Sequence, residues 1–263
     1  MSPGGLLPPA AEAGVRFARA GVCLAASGLS AAAAAGRLRR LRGPSDADQM
    51  RARAQVLRDV CRRLLDLHAV RVDVDGPLPF GPAVLASNHV SWLDPLVLGS
   101  TVPCVPVSKL DISGWPIVGG LVGELGVLFV DRGDPQSGAR VLWGAERAFA
   151  AGLPVLNFPE GTTSTGEQVL PFRRGLFGVA RNTGVPVLPV ALSYEPRDLA
   201  WVGDATFLPH YLRVASGRRA VVRIRFGTRV EPDAYDCPSQ LARAVRQRIL
   251  TLLGGTLAPA VGS

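Results

Sequence analysis

From residue 70 onward, short apolar runs alternate with stretches in which hydrophobic positions recur at helical spacing. Three of these stretches are predicted helices, over residues 134–152, 174–182 and 241–252. The apolar runs have the length and alternation expected of strands, and they cover 70–74, 83–86, 126–130, 155–158, 187–192 and 221–226. Strands that alternate with helices are typical of an α/β fold with a mostly parallel sheet. In such a sheet, chemistry collects in the loops beyond the strand ends.

The N-terminal part has a different pattern. Residues 1–12 are rich in Pro and Gly, and we expect them to be disordered. Residues 20–36 carry no charge and have arginines on both sides, whereas a cleaved signal peptide is basic at one end. The uncharged stretch is about as long as the shortest membrane-spanning helices, roughly 17–25 residues, but Ala, Gly and Ser dominate it. An interfacial helix, a weak membrane anchor and an ordinary packed helix all fit this segment.

A second helix is predicted over residues 46–67. Gly43-Pro44 breaks the first helix, and Ser45 followed by Asp48 resembles a capping box. One face of the helix is apolar and the other carries five arginines. This basic face could be solvated or could lie on anionic lipid headgroups. We therefore interpret residues 13–67 as an N-terminal helical segment that associates with the membrane.

Composition limits the kind of partner. The 263 residues fit one domain with an appendage: a domain over 68–255, the N-terminal segment before it, and a tail over 256–263. Lys and Arg outnumber Asp and Glu by 29 to 21, so anionic partners are expected. Aromatic residues make up 6%, and the basic clusters lie near the apolar N-terminus, which favours lipids and phosphates over nucleic acid. The four cysteines include no CxxC pair, so we expect no zinc site.

The first candidate for chemistry is His89 with Asp94, in the segment NHVSWLD. Five positions on a regular helix leave two side chains roughly 140° apart, so these two could meet only across a strand-to-helix turn. If they meet, the carboxylate would hold one imidazole nitrogen and leave the other as a base for a hydroxyl. Alternatively, His89 is structural and Asp94-Pro95 only begins a helix.

Two further polar segments follow strands or open helices. Phe158 to Ser164, FPEGTTS, places a carboxylate, a glycine and three hydroxyls after an apolar strand. It is not a P-loop, because Glu167 stands where Lys is required, and it lacks the G-x-S-x-G spacing of a hydrolase nucleophile. The segment PFRRG, residues 171–175, puts two arginines at a helix start, where a phosphate could bind.

Taken in order over residues 70–195, these segments resemble the glycerolipid acyltransferase family, typified by 1-acylglycerol-3-phosphate acyltransferases. The matching positions are Asn88, His89 and Asp94 in the first block; Lys109, Pro116, Gly119, Gly126, Asp131 and Arg132 in the second; Phe158, Pro159, Glu160 and Gly161 in the third; Phe172, Arg173 and Gly175 in a short F-[KR]-x-G element; and Val185, Pro186 and Pro189 in the fourth. The resemblance implies a glycerol-3-phosphate acyltransferase-like layered α/β domain with a membrane-associating helical N-terminus.

The resemblance also implies a mechanism. His89, oriented by Asp94, would deprotonate the acceptor hydroxyl, which would attack the thioester of acyl-CoA or acyl carrier protein directly. No metal or prosthetic group is expected. The residues implied to position the acceptor and its phosphate are Lys109, Arg132, Glu160, Gly161, Thr162 and Arg173. We expect the protein on the cytoplasmic face of the cell membrane, peripheral or weakly anchored.

Two departures from the family pattern affect the acceptor. Thr163 stands where many lysophosphatidate enzymes have Arg, and Asp111 replaces Glu in the K-x-E of the second block. 1-Acylglycerol-3-phosphate, giving phosphatidic acid, remains the first expectation, with lyso-ornithine lipid or another lysolipid as alternatives. A non-catalytic lipid-binding protein on the same scaffold and a hydrolase acting on the same bond are the other hypotheses.

Overall fold

The structure, a computed structural model, describes residues 9–41, 45–111, 118–131, 133–202, 206–217 and 219–254. The helices are α1 Pro9–Arg40, α2 Asp46–Leu67, α3 Asp94–Thr101, α4 Val118–Glu124, α5 Pro135–Ala150, α6 Gly175–Thr183, α7 Phe207–Ser216 and α8 Pro238–Leu252. The strands are β1 Val70–Asp75, β2 Val84–Ser87, β3 Val105–Lys109, β4 Leu128–Val130, β5 Val155–Asn157, β6 Val187–Glu195 and β7 Ala220–Phe226.

In the described residues, the strands form one mixed sheet in the order β1-β7-β6-β2-β5-β3-β4. The five strands from β6 to β4 are mutually parallel, as the sequence predicts. β7 runs antiparallel to β6, and β1 is parallel to β7. The carboxyl ends of β2, β3, β4, β5 and β6 therefore meet at one edge of the sheet, while β1 and β7 end at the opposite edge.

Helices cover both faces of this sheet. Helices α5, α6 and α8 pack on the face that carries Val84 and Val155. Helices α3 and α7 pack on the other face, which carries Leu85, Leu156 and Ile224. Adjacent residues of each central strand thus enter different apolar clusters, because successive side chains of a strand point to opposite faces. The expected layered α/β architecture with a mostly parallel sheet is confirmed.

The N-terminal segment consists of two helices. Helix α1 begins at Pro9, so residues 9–12 are helical rather than disordered as we expected, while residues 1–8 lie outside the described residues. Within α1, Ala18–Arg40 is long and apolar enough to cross a membrane, by length and composition. Helix α2 has the predicted bounds, and the Ser45 hydroxyl caps it by accepting a hydrogen bond from the Asp48 N–H.

Helix α1 also packs on the folded domain. Its residues Ala20 and Cys23 are buried against Tyr211 and Ala215 of α7. The Arg19 guanidinium donates a hydrogen bond to the carbonyl oxygen of Gly217, at 2.7 Å, just after α7. The first helix is therefore joined to a part of the chain almost 200 residues away.

Candidate active site

The candidate site lies at the edge of the sheet where the parallel strands end. His89 follows β2, Glu160 follows β5, and Tyr194 is the penultimate residue of β6. Lys109 is the last residue of β3 and is exposed. Residues far apart in the chain meet at this edge because neighbouring parallel strands end there.

The loop after β2 is fixed to the sheet by Asn88. The Asn88 Nδ2 donates to the Leu192 carbonyl oxygen at 3.0 Å, and its Oδ1 accepts from the Leu192 N–H at 2.8 Å. Asn88 is buried, so each of these backbone groups obtains a partner in the absence of solvent. This reciprocal pair sets the direction in which the chain leaves β2 and enters His89.

His89 and Asp94 meet across the turn that joins β2 to α3. The turn brings the two side chains together, and the His89 Nδ1 lies 2.7 Å from Asp94 Oδ2. The same oxygen accepts the N–H groups of Val90, at 2.6 Å, and Ser91, at 2.9 Å. Asp94 is the first residue of α3 and is fully buried, and a carboxylate there is stabilised by the positive end of the helix.

These contacts define which nitrogen of His89 is available for chemistry. A carboxylate only accepts hydrogen bonds, so the Nδ1 of His89 carries the proton and Nε2 is left for a substrate. The imidazole stacks on the ring of Phe158, with centroids 4.3 Å apart, and its side chain is 20% exposed. A base that is held by a buried carboxylate and reachable from outside is suited to removing a proton from a hydroxyl.

Glu160 braces the same loop from the neighbouring strand. Its Oε1 accepts the His89 N–H at 2.7 Å, and its Oε2 accepts the Leu170 N–H at 2.8 Å. Burial raises the pKa of the Glu160 carboxyl, and the two backbone hydrogen bonds partly oppose that rise. Our sequence interpretation gave Glu160 a role in binding the acceptor; the structure also gives it the task of holding the His89 backbone.

Three of the other predicted binding residues are linked to Glu160, two by following it in the chain and one by a backbone hydrogen bond to the preceding residue. Gly161 turns the chain after Glu160, with a φ of +74° that favours glycine, and Thr162 beside it is exposed. Arg173 is exposed, and its N–H donates to the Pro159 carbonyl oxygen at 2.9 Å. Arg132 lies outside the described residues.

Thr163, one of the two residues that depart from the family pattern, points into the structure. Its hydroxyl donates to the carbonyl oxygen of Trp201. The Trp201 N–H in turn donates to the Val90 carbonyl oxygen at 2.9 Å. Thr163 therefore joins the loop after β5 to the loop that carries His89, through the segment that follows β6.

Sequence reasoning missed two contributors to the site. Tyr194 donates a hydrogen bond from its hydroxyl to Asp94 Oδ1, and it extends β6 beyond the predicted end at Leu192. The apolar alternation of Val190, Leu192 and Tyr194 could have suggested this extension. Arg246 of α8 donates to the Val169 carbonyl oxygen at 2.9 Å and so supports the segment whose N–H binds Glu160. No local pattern marks Arg246, because its partner lies 77 residues away.

Comparison with known proteins decides the family. A family model described as "Acyltransferase" matches residues 70–193. The chain is 35% identical, over 242 residues, to a lyso-ornithine lipid O-acyltransferase of Pseudomonas aeruginosa, an overlap of 90% of this chain and 92% of that protein. The chain belongs to the glycerolipid acyltransferase family. The family expected from the sequence motifs is thereby confirmed.

Two further comparisons agree. This acyltransferase is 29% identical over 186 residues to a 1-acyl-sn-glycerol-3-phosphate acyltransferase of Neisseria meningitidis, covering 66% of this chain and 71% of that protein. Its fold is similar to that of the 1-acyl-sn-glycerophosphate acyltransferase PlsC from Thermotoga maritima, with a TM-score of 0.64 and 19% identity. That overlap covers 93% of this acyltransferase and 96% of the solved chain. In the part of the chain that the structure describes, no group of three or more His, Cys, Asp and Glu residues could hold a metal ion.

Proposed function

We propose that this acyltransferase moves a fatty acyl group from a thioester to the free hydroxyl of a lysolipid, with His89 as the general base. The observation that supports this proposal is the 2.7 Å contact between His89 Nδ1 and buried Asp94, which leaves Nε2 for the acceptor. A general base of this kind contributes about 10²–10⁴ in rate.

The proposed reaction is a direct transfer. The Nε2 of His89 accepts the hydroxyl proton while the acceptor oxygen forms a bond with the thioester carbonyl carbon. The carbon–sulfur bond then breaks, and the leaving thiolate takes the proton back from Nε2. Asp94 keeps its negative charge throughout and stabilises the imidazolium that forms between the two steps.

The donor in this proposal is acyl-CoA or acyl carrier protein, and the reaction uses no metal or prosthetic group. Neither proton transfer nor thioester attack requires one, because the thiolate is a good leaving group. Dialysis against EDTA should therefore leave turnover unchanged. A loss of activity that returns with an added divalent cation would contradict this part of the proposal.

We propose lyso-ornithine lipid as the acceptor. The Pseudomonas relative that overlaps 90% of the chain carries this acceptor in its name. At the position where many lysophosphatidate enzymes have an arginine, this chain has Thr163, whose hydroxyl is engaged with the Trp201 carbonyl oxygen. An acceptor without a phosphate does not need a cation there. Lysophosphatidate is the second candidate, favoured by the likeness to the Neisseria enzyme and by the excess of basic residues.

We further propose that the protein works on the cytoplasmic face of the cell membrane and is held there by the N-terminal helices. Helix α1 exposes Val22, Leu24 and Leu29, and arginines occupy its last turn. Apolar side chains beside basic ones suit an anionic lipid surface. Removal of protein from membranes by carbonate or high salt, compared with detergent, measures how strongly this contact holds.

The test of the reaction uses purified protein, labelled acyl-CoA or acyl carrier protein, and both lysolipids, with products identified by mass spectrometry. His89→Ala should abolish transfer while the unfolding temperature stays close to that of the wild type. Near-normal turnover by His89→Ala would show that His89 is not the base. Free fatty acid without acylated lipid would indicate a hydrolase, and lysolipid binding without any turnover would indicate a non-catalytic binder.

The acceptor assignment has its own test. Thr163→Arg should raise kcat/KM for lysophosphatidate relative to lyso-ornithine lipid by about 10- to 100-fold, because a charge-assisted phosphate contact is worth roughly 1.5–3 kcal/mol. Thr165→Arg, which adds the same charge at an exposed position of the same loop, is the control. Equal effects of the two substitutions would mean that position 163 does not select the acceptor.

A further inference from the structure

A hydroxyl from the adjacent strand completes the environment of Asp94. Tyr194 lies on the same face of β6 as Val190 and Leu192, and its side chain is buried in the same apolar cluster. Its hydroxyl donates to Asp94 Oδ1. Tyr194 is one residue beyond the segment that matches the family model, residues 70–193.

The two oxygens of Asp94 have different duties. Oδ2 accepts three hydrogen bonds, from the His89 ring and from the N–H groups of Val90 and Ser91. Among the described residues, the hydrogen bond that reaches Oδ1 comes from Tyr194. Asp94 is fully buried, so water does not replace this donor. Tyr194 therefore fixes the rotation of the carboxylate about its Cβ–Cγ bond and, with it, the line along which Oδ2 faces His89.

The phenol is suited to this duty because it stays protonated. Burial, together with the negative charge of Asp94, raises the pKa of Tyr194 well above its ordinary value. The raised pKa favours the protonated hydroxyl, which is the form that donates to Asp94. It also draws negative charge toward Oδ1, away from the oxygen that faces the imidazole.

We propose that Tyr194 is a positioning residue for transfer, which acts through Asp94 on the orientation and proton affinity of His89. The inference rests on the proposed function, since it assumes that His89 is the base. Tyr194 itself contacts no reacting atom: its hydroxyl is on the side of Asp94 away from the imidazole. Its removal should therefore change the chemical step and leave acceptor binding unchanged.

The direction of the pH effect follows from the groups around the imidazole. Asp94 faces its Nδ1, Tyr194 faces the far oxygen of Asp94, and Glu160 binds the His89 N–H. Without the phenol, more of the Asp94 charge resides on Oδ2, and this charge stabilises the protonated, imidazolium form of His89. The deprotonated base then appears only at higher pH, so the acid limb of the pH–rate profile moves upward.

The experiment compares Tyr194→Phe with Tyr211→Phe, which removes the same hydroxyl from a buried tyrosine of α7. Tyr194→Phe should lower kcat about 10- to 100-fold, the range expected for a lost hydrogen bond to a charged group. Its KM for the lysolipid should stay within roughly a factor of two of the wild-type value. The midpoint of the acid limb of the pH–rate profile should move to higher pH. Tyr211→Phe should leave all three quantities close to wild type.

A second measurement does not need a substrate. The imidazole resonances of His89, assigned by their absence in His89→Ala, are followed by NMR against pH in both tyrosine variants. The midpoint should move to higher pH in Tyr194→Phe alone. Unchanged midpoint and unchanged kcat would overturn the role of Tyr194, even in a fully active enzyme. A shifted midpoint in a protein with no transferase activity would support the positioning role and refute the proposed function separately.

Discussion

The pair of hydrogen bonds between Asn88 and the Leu192 backbone offers the sharpest test of how the site is held. Asn88→Ala removes both partners from buried backbone groups that have no access to water. Each unsatisfied N–H or C=O costs about 1–3 kcal/mol, so the free energy of unfolding should fall by about 2–6 kcal/mol. A domain of this kind has roughly 5–15 kcal/mol in total, so a loss in the lower half of the expected range leaves the variant weakened and still folded under native conditions.

Urea denaturation followed by circular dichroism measures this loss, and kcat measured below the unfolding transition reports the site. We expect kcat to fall as well, because the residue after Asn88 is the base. Asn182→Ala, at an exposed position near the end of α6, is the control and should change stability by about 0.5 kcal/mol or less. If the two alanine variants unfold at the same urea concentration, the reciprocal pair does not hold the loop as argued.

Two other predictions concern groups outside the catalytic pair. Arg246→Gln removes the charged donor to Val169, which precedes the residue whose N–H binds Glu160. This variant should lower kcat several-fold and the unfolding free energy by about 1.5–3 kcal/mol. Arg243→Gln, on the exposed face of α8, is the control and should change neither quantity. Burial lowers the pKa of His210, whose Nδ1 accepts from the Trp92 indole, so its stabilising contribution is complete above the ordinary value near 6.5 and is lost as the pH falls below it. Urea titrations at pH 7.5, 6.5 and 5.5 should show that the free energy of unfolding falls less steeply with decreasing pH in His210→Gln than in the wild type. The two slopes should differ by at most about 1.4 kcal/mol per pH unit. Identical slopes would contradict the predicted sign.

The elements with local signals were predictable from the sequence. Helix α2 begins at the predicted residue because Ser45 caps it. Helix α5 also begins as predicted, because Asp134 accepts a hydrogen bond from the Gln136 N–H and Pro135 is the first helical residue. The sequence also showed that His89 and Asp94 could meet only across a strand-to-helix turn, since the geometry of such a turn depends on neighbouring residues. These features lie within a few positions of the residues that cause them.

The features that depend on distant partners were not predictable. Strand β3 was not predicted because Pro106 and Ser108 interrupt its apolar pattern. Its extended conformation is fixed by pairing with β4 and β5, which are distant in the sequence. The antiparallel pairing of β7 with β6, which sets Tyr194 opposite Val222, has no local signature. For the same reason the sequence suggested a carboxylate at Glu160 but not the backbone groups that it binds, since one of them is 71 residues away.

The packing of α1 on α7 has a practical consequence for anyone who prepares this enzyme. Deleting the first helix is the usual way to obtain a detergent-free sample of a protein with one apolar N-terminal segment. Here that deletion would expose Tyr211 and Ala215 and would remove the Arg19 contact to Gly217. The shortened protein would lose the apolar surface of α1 but expose a new apolar surface on α7. Trp92, three residues from the base, packs against that surface. Trimming therefore has to stop before Arg19, and solubility has to be sought through exposed positions such as Val22 and Leu29.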